Sequence, residues 1–597
     1  MKNLSIVIFL SLLFINSIKS QNYWQQEVDY KINVDVNAKK NSFKGDQEIL
    51  YTNNSLDTLN KVFFHLYFNA FRKGSDMAVR LNNGDDINTR FDIDISKLKS
   101  EEEGFLNVSN LKQDDINVET YLSDTILEVT LANPILPGDS SVFTMDFKGQ
   151  IPITIRRAGR DSPMGVKFSM AQWYPKISEY DYEGWNTAPY TGREFHGVWG
   201  DFDVTIHIDK NYTIGGTGYL QNPQEIGHGY EDKSKKLKKS KSEKLSWHFK
   251  APNVHDFMWA ADPDYNHDIL KTADGIDLHF FYKKNLEEKY LKSWKDLQPK
   301  TAQLMSFFSK NVGQYPYKQY SVIQGGDGGM EYAMSTLITG KRSFNSLFGV
   351  TSHEMAHTWF QFLLASNESK HPWMDEGFTS YISNIASNKI LDKQLENPHL
   401  GSYNRYFKMI SYRKEESLAT HADRYHLNSS YSTASYSMGN IFLSQLEYII
   451  GKENVEKGLK KYFNDFSFKH PTPNDIKRSM EKVSGIHLDW YLNEWTQTTH
   501  TIDYSVRGFR NKIIILQRHG KMPMPIDVRV TYKDGSSEDF NIPLQMMRGN
   551  KPTSATILKD WSWAHPIYRF EVLKEIKSVE IDPSKLMADI YPSDNNK

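Results

Sequence analysis

The feature that most constrains this chain is a short stretch near its middle, residues 351–359, which contains the pattern H-E-x-x-H. In a helix, His353 and His357 lie one turn apart on the same face, so both imidazoles can reach one metal ion. Neutral imidazole is a common zinc ligand, and a catalytic zinc site takes three protein ligands and leaves one position open. The pattern therefore predicts a zinc-binding helix that needs a third ligand from elsewhere.

We predict that the third ligand is Glu376, which is followed by a glycine. Eighteen residues separate His357 from Glu376, which is enough to end one helix, turn and begin a second. Glu354 does not lie on quite the same line of the helix as the two histidines. This position suits a residue that holds a metal-bound water rather than the metal. A lone H-E-x-x-H pattern also arises by chance, but the spaced glutamate adds a third ligand of a suitable type.

Length and composition limit the number of domains and the classes of function that this chain can have. Its 597 residues predict about three to five domains, because a chain this long exceeds what one hydrophobic core supports. The net charge of −1 gives no electrostatic support for binding nucleic acid or an anionic membrane. There is no cysteine, which excludes a disulfide framework and thiol catalysis.

The N-terminus has the pattern of a signal peptide over residues 1–20. Lys2 precedes an apolar run over residues 4–15, and the small residue Ser20 ends the segment. We therefore expect an exported protein that is periplasmic, envelope-associated or secreted, with an uncleaved anchor as the alternative. No later apolar run approaches the length of a membrane span, so we expect no integral span in the mature chain.

Hydrophobic periodicity divides the mature chain into three parts. Residues 21–267 contain repeated short strands with alternating apolar and polar residues, which predicts a β domain. Residues 268–500 change to helical spacing around the metal motif, and residues 501–597 return to strands, including a hairpin that turns at residues 533–536. The predicted fold class is multidomain α+β, ending in a small β-sandwich.

His353-Glu354-x-x-His357 with Glu376 resembles the gluzincin pattern of the M1 family of zinc aminopeptidases. The resemblance covers most of the mature chain. It implies a saddle-shaped N-terminal β-sheet domain, a thermolysin-like and mostly helical catalytic domain, and one Zn²⁺ per chain. Because the chain stops soon after residue 583, it resembles a short form without the C-terminal helical domain. The implied substrates are peptides with a free N-terminus.

The resemblance also implies roles for single residues. Glu354 would take a proton from the attacking water, and the Tyr436 hydroxyl would stabilise the oxyanion, with Tyr431 as a weaker candidate. Gln172 would reach from the first domain into the substrate cleft. The segment formed by Gly328, Gly329, Met330, Glu331 and Tyr332 resembles the family's G-x-M-E-N motif. Within it, Glu331 would accept hydrogen bonds from the substrate's α-ammonium.

Three positions depart from the commoner family motifs. Tyr174 stands where some members have an acidic residue, which leaves open whether a second carboxylate binds the amine. Gly329 and Tyr332 replace alanine and asparagine, which leaves the preferred N-terminal residue open.

Three other functions compete with the aminopeptidase prediction. An exported zinc endopeptidase of the thermolysin kind would share the metal helix but would not use an amine anchor such as Glu331. An epoxide hydrolase of the same superfamily would be expected to carry the helical C-terminal domain. A catalytically silent peptide-binding envelope protein would bind no zinc. The sequence leaves the oligomeric state open.

Overall fold

The structure is a computed structural model that describes residues 23–83, 93–238 and 241–597. The predicted signal peptide, residues 1–20, lies outside the described residues. Across the described ranges, no helix is both long enough and apolar enough to cross a membrane.

The N-terminal region is built around an eight-stranded sheet. In spatial order its strands are Tyr219–Leu220, Lys244–Val254, Gly200–Asp209, Glu27–Asn37, Ser42–Thr52, Ser140–Gln150, Phe105–Gln113 and Ile116–Asn117. Side chains of Glu27–Asn37 alternate between exposed and buried positions, as in a sheet with one solvated face. The region also contains two four-stranded sheets and a two-stranded one. The four-stranded sheets are Thr213–Gly216, Trp259–Asp262, Phe168–Met170 and Gly159–Arg160 in one, and Lys176–Ile177, Leu59–His65, Ile126–Ile135 and Glu119–Ser123 in the other. The two-stranded sheet pairs Tyr180–Asp181 with Gly184–Trp185.

A five-stranded sheet begins the catalytic region. Its spatial order is Tyr265–Lys271, Asp277–Lys283, Gln319–Gln324, Ser335–Ile338 and Gly329–Tyr332. Every residue of Gln319–Gln324 is buried, since this strand has parallel partners on both sides. The domain boundary predicted between residues 267 and 268 falls inside the first of these strands. The boundaries themselves stay predictions.

Helices make up most of the chain between residues 288 and 497. They are Glu288–Asn311, Phe344–Phe360, Pro372–Ile390, Leu400–Ser411, Asn428–Ser432, Gly439–Ile450, Lys452–Phe466, Pro473–Ser484 and Asp489–Gln497, with a π-helix at Thr433–Met438. Local sequence explains several of their starts. Pro372 begins its helix without losing a hydrogen bond, and Thr472 and Asp475 form a capping box before Pro473–Ser484.

The chain ends in two small sheets. One contains Tyr504–Arg510, Ile513–Arg518 and Ile567–Glu571, and the other contains Thr556–Ile557, Ser537–Ile542, Ile526–Tyr532 and Ile576–Ile581. The rings of Phe540 and Phe570 join the two sheets, with their centroids 5.3 Å apart. The predicted hairpin is present, because Ile526–Tyr532 and Ser537–Ile542 pair antiparallel across residues 533–536. The predicted multidomain α+β fold is confirmed.

Candidate active site

The two histidines and Glu376 converge from two adjacent helices. Phe344–Phe360, here called the HExxH helix, packs against Pro372–Ile390, here called the Glu376 helix. His353 Nε2 lies 3.2 Å from His357 Nε2 and 3.0 Å from Glu376 Oε2, and His357 Nε2 lies 3.3 Å from the same oxygen. The structure therefore brings the three predicted ligands together as a nearly equilateral triangle of donor atoms.

The size of this triangle fits zinc. A tetrahedral site with metal–ligand distances of 2.0–2.1 Å places its ligand atoms about 3.3 Å apart. The three measured distances, 3.0, 3.2 and 3.3 Å, lie at or just below that value. Two nitrogens and one carboxylate oxygen also match the donor types of catalytic zinc sites. His353, His357 and Glu376 are therefore the residues that fit a zinc ion.

Asp375 orients one of these ligands. Its Oδ1 lies 2.5 Å from His357 Nδ1, and both side chains are almost completely buried. A carboxylate in this position fixes the proton on Nδ1 and leaves Nε2 free to face a metal. Burial alone would lower the pKa of His357, but the carboxylates of Asp375 and Glu331 raise it well above its usual value. The site is thus arranged to stabilise positive charge.

Glu354 faces a different neighbour from the two histidines. A Cβ placed on Gly329 would lie 2.3 Å from Glu354 Oε1, so the carboxylate packs directly against this strand. A side chain at position 329 would therefore force the Glu354 carboxylate to shift. Burial, followed by the nearby Glu331 carboxylate, raises the pKa of Glu354 well above its usual value. A carboxyl with a raised pKa can both accept and return a proton.

Glu331 projects from the strand Gly329–Tyr332 toward the metal ligands. Its Oε1 lies 4.0 Å from His357 Nδ1, and the residue is only 3% exposed. Within the described part of the chain, this oxygen has no hydrogen-bond partner. Burial raises the pKa of Glu331 to about 7. A buried oxygen without a partner is costly, and it marks a place where a cationic group would be stabilised.

Tyr436 lies over the metal ligands from a third direction. Its ring stacks on His353 with centroids 5.6 Å apart and an interplanar angle of 18°. The residue belongs to the π-helix Thr433–Met438, whose wider turn re-aims side chains and is common at functional sites. Burial, together with the carboxylates of Glu376 and Glu194, raises the pKa of Tyr436 well above its usual value. The hydroxyl therefore keeps its proton and remains a donor.

The sequence of this region matches a known peptidase domain. Residues 300–495 match the profile of the peptidase family M1 domain. Over these residues the chain is similar to peptidase family M1. It is 27% identical over 173 residues to an alanine/arginine aminopeptidase of Saccharomyces cerevisiae, a match that covers 28% of this chain and 20% of that protein. It is 26% identical over 255 residues to a probable aminopeptidase 1 of Saccharolobus solfataricus, a match that covers 41% of this chain and 30% of that protein.

Solved M1 structures share the fold. An M1 zinc metallopeptidase from Deinococcus radiodurans superposes with a TM-score of 0.54 at 14% identity, over 79% of this chain and 93% of that one. A structure described as a two-domain M1 zinc metallopeptidase bound to L-tryptophan gives a TM-score of 0.53 at 14% identity, over 79% and 94% of the two chains. The curated relatives are matched over less than a third of their length, so for this chain their activities enter only as a proposal.

Two of the positions that depart from M1 motifs belong to one hydrogen-bond network around Asp256. The Gln172 amide donates to Asp256 over 3.0 Å and accepts from the Tyr332 hydroxyl over 3.1 Å. The Tyr174 hydroxyl donates to the same aspartate over 3.0 Å, and Lys176 pairs with it. Tyr332 therefore connects the G-x-M-E-N segment to the first domain. The contact of Gln172 with substrate stays a prediction.

The structure adds four buried charged residues that the sequence prediction did not include. Asp375 is adjacent to Glu376, so its position next to a predicted ligand was a usable signal. Glu194, Glu368 and Arg157 carry no motif and come from distant parts of the chain. Burial and the carboxylates of Asp375, Glu331 and Glu194 raise the pKa of Glu368. Only the tertiary structure brings these side chains close to the candidate metal ligands.

Proposed function

We propose that this chain is a zinc-dependent aminopeptidase of the M1 type that removes single residues from the N-terminus of peptides. The observation that carries the proposal is the triangle of His353, His357 and Glu376, with Glu354 and the unpartnered oxygen of Glu331 close to it. The triangle of His353, His357 and Glu376 suits a hydrolytic metal, and Glu331 suits recognition of a free amine.

His353, His357 and Glu376 would hold one zinc ion per chain. When bound there, zinc supplies a Lewis acid that polarises a carbonyl and lowers the pKa of a water it binds to about 7. Asp375 keeps the His357 ring in the orientation and tautomer that such a ligand requires.

Glu354 moves the proton in this proposal. Its carboxylate accepts a proton from the attacking water and delivers it to the nitrogen of the leaving peptide. The raised pKa of Glu354 favours this exchange, because the protonated form survives long enough to act as an acid. The Tyr436 hydroxyl donates a hydrogen bond to the oxygen that gains negative charge, a contribution worth about 3 kcal/mol.

The strand Gly329–Tyr332 would align the substrate. It lies at one edge of the five-stranded sheet as far as the described residues extend, so its outer backbone groups can pair with an extended peptide. Glu331 on this strand would accept hydrogen bonds from the α-ammonium. Cleavage would then fall after the first residue, because the amine and the scissile carbonyl are held a fixed distance apart.

Purified protein assayed on a panel of aminoacyl-anilides, with and without a chelator, tests this function directly. We expect hydrolysis that stops on chelation and returns with zinc. One peptide compared with its N-acetylated form tests the exopeptidase assignment, since acetylation removes the positive charge. Equal rates on the two forms, or cleavage in the middle of the chain, would favour an endopeptidase. Absence of both zinc and hydrolysis would favour a silent peptide-binding protein.

We also propose that the protein is exported, on the basis of the signal-peptide pattern of residues 1–20. The expected mature N-terminus is Gln21. N-terminal sequencing of protein from a culture fraction outside the cytoplasm would check this, and an intact Met1 would contradict cleavage.

A further inference from the structure

Three buried glutamates from separate parts of the chain meet beside the metal ligands. Glu194, Glu331 and Glu368 each contribute an oxygen to a cluster in which these atoms lie within 4.8 Å of one another. Their exposed fractions are 5%, 3% and 2%. Carboxylates are rarely buried without partners, since removing a charge from water is costly. Burial raises the pKa of Glu331 and Glu368, so a cation bound beside them would stabilise their charged forms.

The protein supplies partners for only part of this carboxylate cluster. Arg157 forms an ion pair with Glu194, and Glu368 accepts a hydrogen bond from the backbone amide of Phe195 over 2.7 Å. Within the described ranges, Glu331 Oε1 has no hydrogen-bond partner. One guanidinium thus faces three carboxylates. The cluster therefore retains unused acceptor capacity at Glu331, which suits a cationic ligand.

The spacing of the oxygens suits an ammonium group. A charge-assisted hydrogen bond from an ammonium to a carboxylate measures about 2.8 Å, so acceptors in tetrahedral directions lie about 4.6 Å apart. The cluster spans up to 4.8 Å. A divalent cation fits less well, because the Arg157 guanidinium that pairs with Glu194 would repel a double positive charge at short range.

The cluster also adjoins the proposed reaction centre. Glu331 Oε1 is 4.0 Å from His357 Nδ1, and Glu194 is close enough to Tyr436 to raise the pKa of its hydroxyl. By contrast, Tyr174, at the position where some M1 members have an acidic residue, is engaged with Asp256. Glu194 also lines a cavity of about 380 Å³. Glu194 therefore lies between this cavity and the site residues.

We infer that Glu194 and Glu368, together with Glu331, form the pocket that binds the α-ammonium of the substrate, and that Glu194 supplies the carboxylate missing at Tyr174. This inference rests on the proposed aminopeptidase function and specifies its amine site. Selectivity for a free amine then depends on residues outside the G-x-M-E-N segment as well as on Glu331. Glu194 and Glu368 bind the amine and do not transfer a proton.

Binding measurements in a Glu354→Gln background test the inference without cleavage of the probe. The probes are Leu-Ala-Ala and 4-methylpentanoyl-Ala-Ala, which differ only in the α-amine. Calorimetry gives the ratio of their dissociation constants, and metal analysis gives the zinc content of each protein. We expect a strong preference for the free amine. Glu194→Gln and Glu368→Gln should each reduce this preference about tenfold or more with zinc unchanged, because each removes a charged acceptor.

Glu179→Gln is the matched control. Glu179 is also buried and charged, but it faces His470 at 3.5 Å and is outside the carboxylate cluster. The preference should stay unchanged in this variant. Should Glu194→Gln fail to fold because Arg157 loses its partner, the double variant Arg157→Met/Glu194→Gln removes both charges together. Glu368→Gln leaves that ion pair intact.

Each outcome has a separate meaning. If Glu331→Gln abolishes the preference while Glu194→Gln and Glu368→Gln keep it, Glu331 acts alone and the inference is wrong. A second equivalent of zinc or calcium that disappears in Glu194→Gln would assign the cluster to a metal instead. If the parent Glu354→Gln protein shows no preference for the free amine, the proposed aminopeptidase function fails first, and the inference fails with it.

Discussion

Glu354 and the two histidines lie on one helix, but their side chains face different neighbours. The histidines direct Nε2 at a common point, whereas the Glu354 carboxylate packs against Gly329. We therefore expect Glu354→Gln to keep stoichiometric zinc and to lose several orders of magnitude in kcat, because the amide cannot accept the proton. His353→Ala is the contrasting variant, and it should lose zinc together with activity. Metal analysis beside steady-state kinetics checks both, and loss of zinc from Glu354→Gln would show that the ligand set is wrong.

Tyr436 provides a second prediction about a single residue. Its ring stacks on His353, so Tyr436→Phe removes the hydroxyl and leaves the packing in place. The expected result is a fall in kcat of about 10²–10³-fold, the usual effect of removing one oxyanion donor, with KM changed little. Kinetics on one aminoacyl-anilide measure both constants. A rise in KM alone would place Tyr436 in substrate binding instead.

At the level of helices, the position of Glu376 depends on a close contact between two glycines. A Cβ on Gly377 would lie 2.4 Å from the Cα of Gly439, so Gly377→Ala must push the Glu376 helix away from Gly439–Ile450. Overpacking of this kind costs about 1–3 kcal/mol. We expect a lower Tm and weaker zinc binding, measured by thermal unfolding and by competition with a chelator.

Gly401→Ala is the control for that substitution. Gly401 is exposed at the start of Leu400–Ser411, and apart from its chain neighbours and the backbone of its own helix, no heavy atom of the described residues lies within 4 Å of a Cβ placed there. Its Tm and zinc affinity should stay the same or rise slightly, since alanine favours helix. If both substitutions weaken zinc binding equally, the glycine contact does not position Glu376.

The elements divide into those that local sequence predicts and those that it does not. The alternation in residues 30–36 lies within the observed strand Glu27–Asn37, and helical spacing over residues 286–310 matches Glu288–Asn311. The π-helix at Thr433–Met438 had no signal in its composition. The strand Tyr265–Lys271 was divided by the predicted boundary, because strand periodicity gives no information about which sheet a strand joins.

The same distinction applies to the site. His353, His357 and Glu376 are close in sequence, so spacing on two helices was enough to group them. The backbone amide of Phe195 donates to Glu368, which lies 173 positions further along the chain, and no periodicity links Glu194 with Glu368. Their grouping depends on how the first domain packs on the catalytic region, a long-range contact that a single sequence does not encode in any local pattern.

At the scale of the whole molecule, the ion pair between Arg156 and Asp327 connects the N-terminal region to the strand Gly329–Tyr332, here called the substrate strand. Asp327 precedes Gly329–Tyr332, and its Oδ2 accepts hydrogen bonds from Arg156 Nη1 over 2.8 Å and from the Arg157 backbone amide over 3.0 Å. The Arg156 side chain is 8% exposed and that of Asp327 is 22% exposed. Such a shielded contact between domains holds the glycine-rich segment, and with it Glu331, in a fixed position.

Asp327→Asn removes the charge at this contact while keeping the side-chain volume. We expect KM for free-amine substrates to rise about tenfold, since a hydrogen bond to a charged group contributes about 1.5–3 kcal/mol. Zinc content should not change, because the metal ligands lie on helices outside this loop. Asp539→Asn is the matched control, as its pair with Arg529 is about half exposed on both sides and belongs to the C-terminal sheets. That variant should keep the wild-type KM. A normal KM in Asp327→Asn, or an equal rise in the control, would show that the first domain does not position the substrate strand.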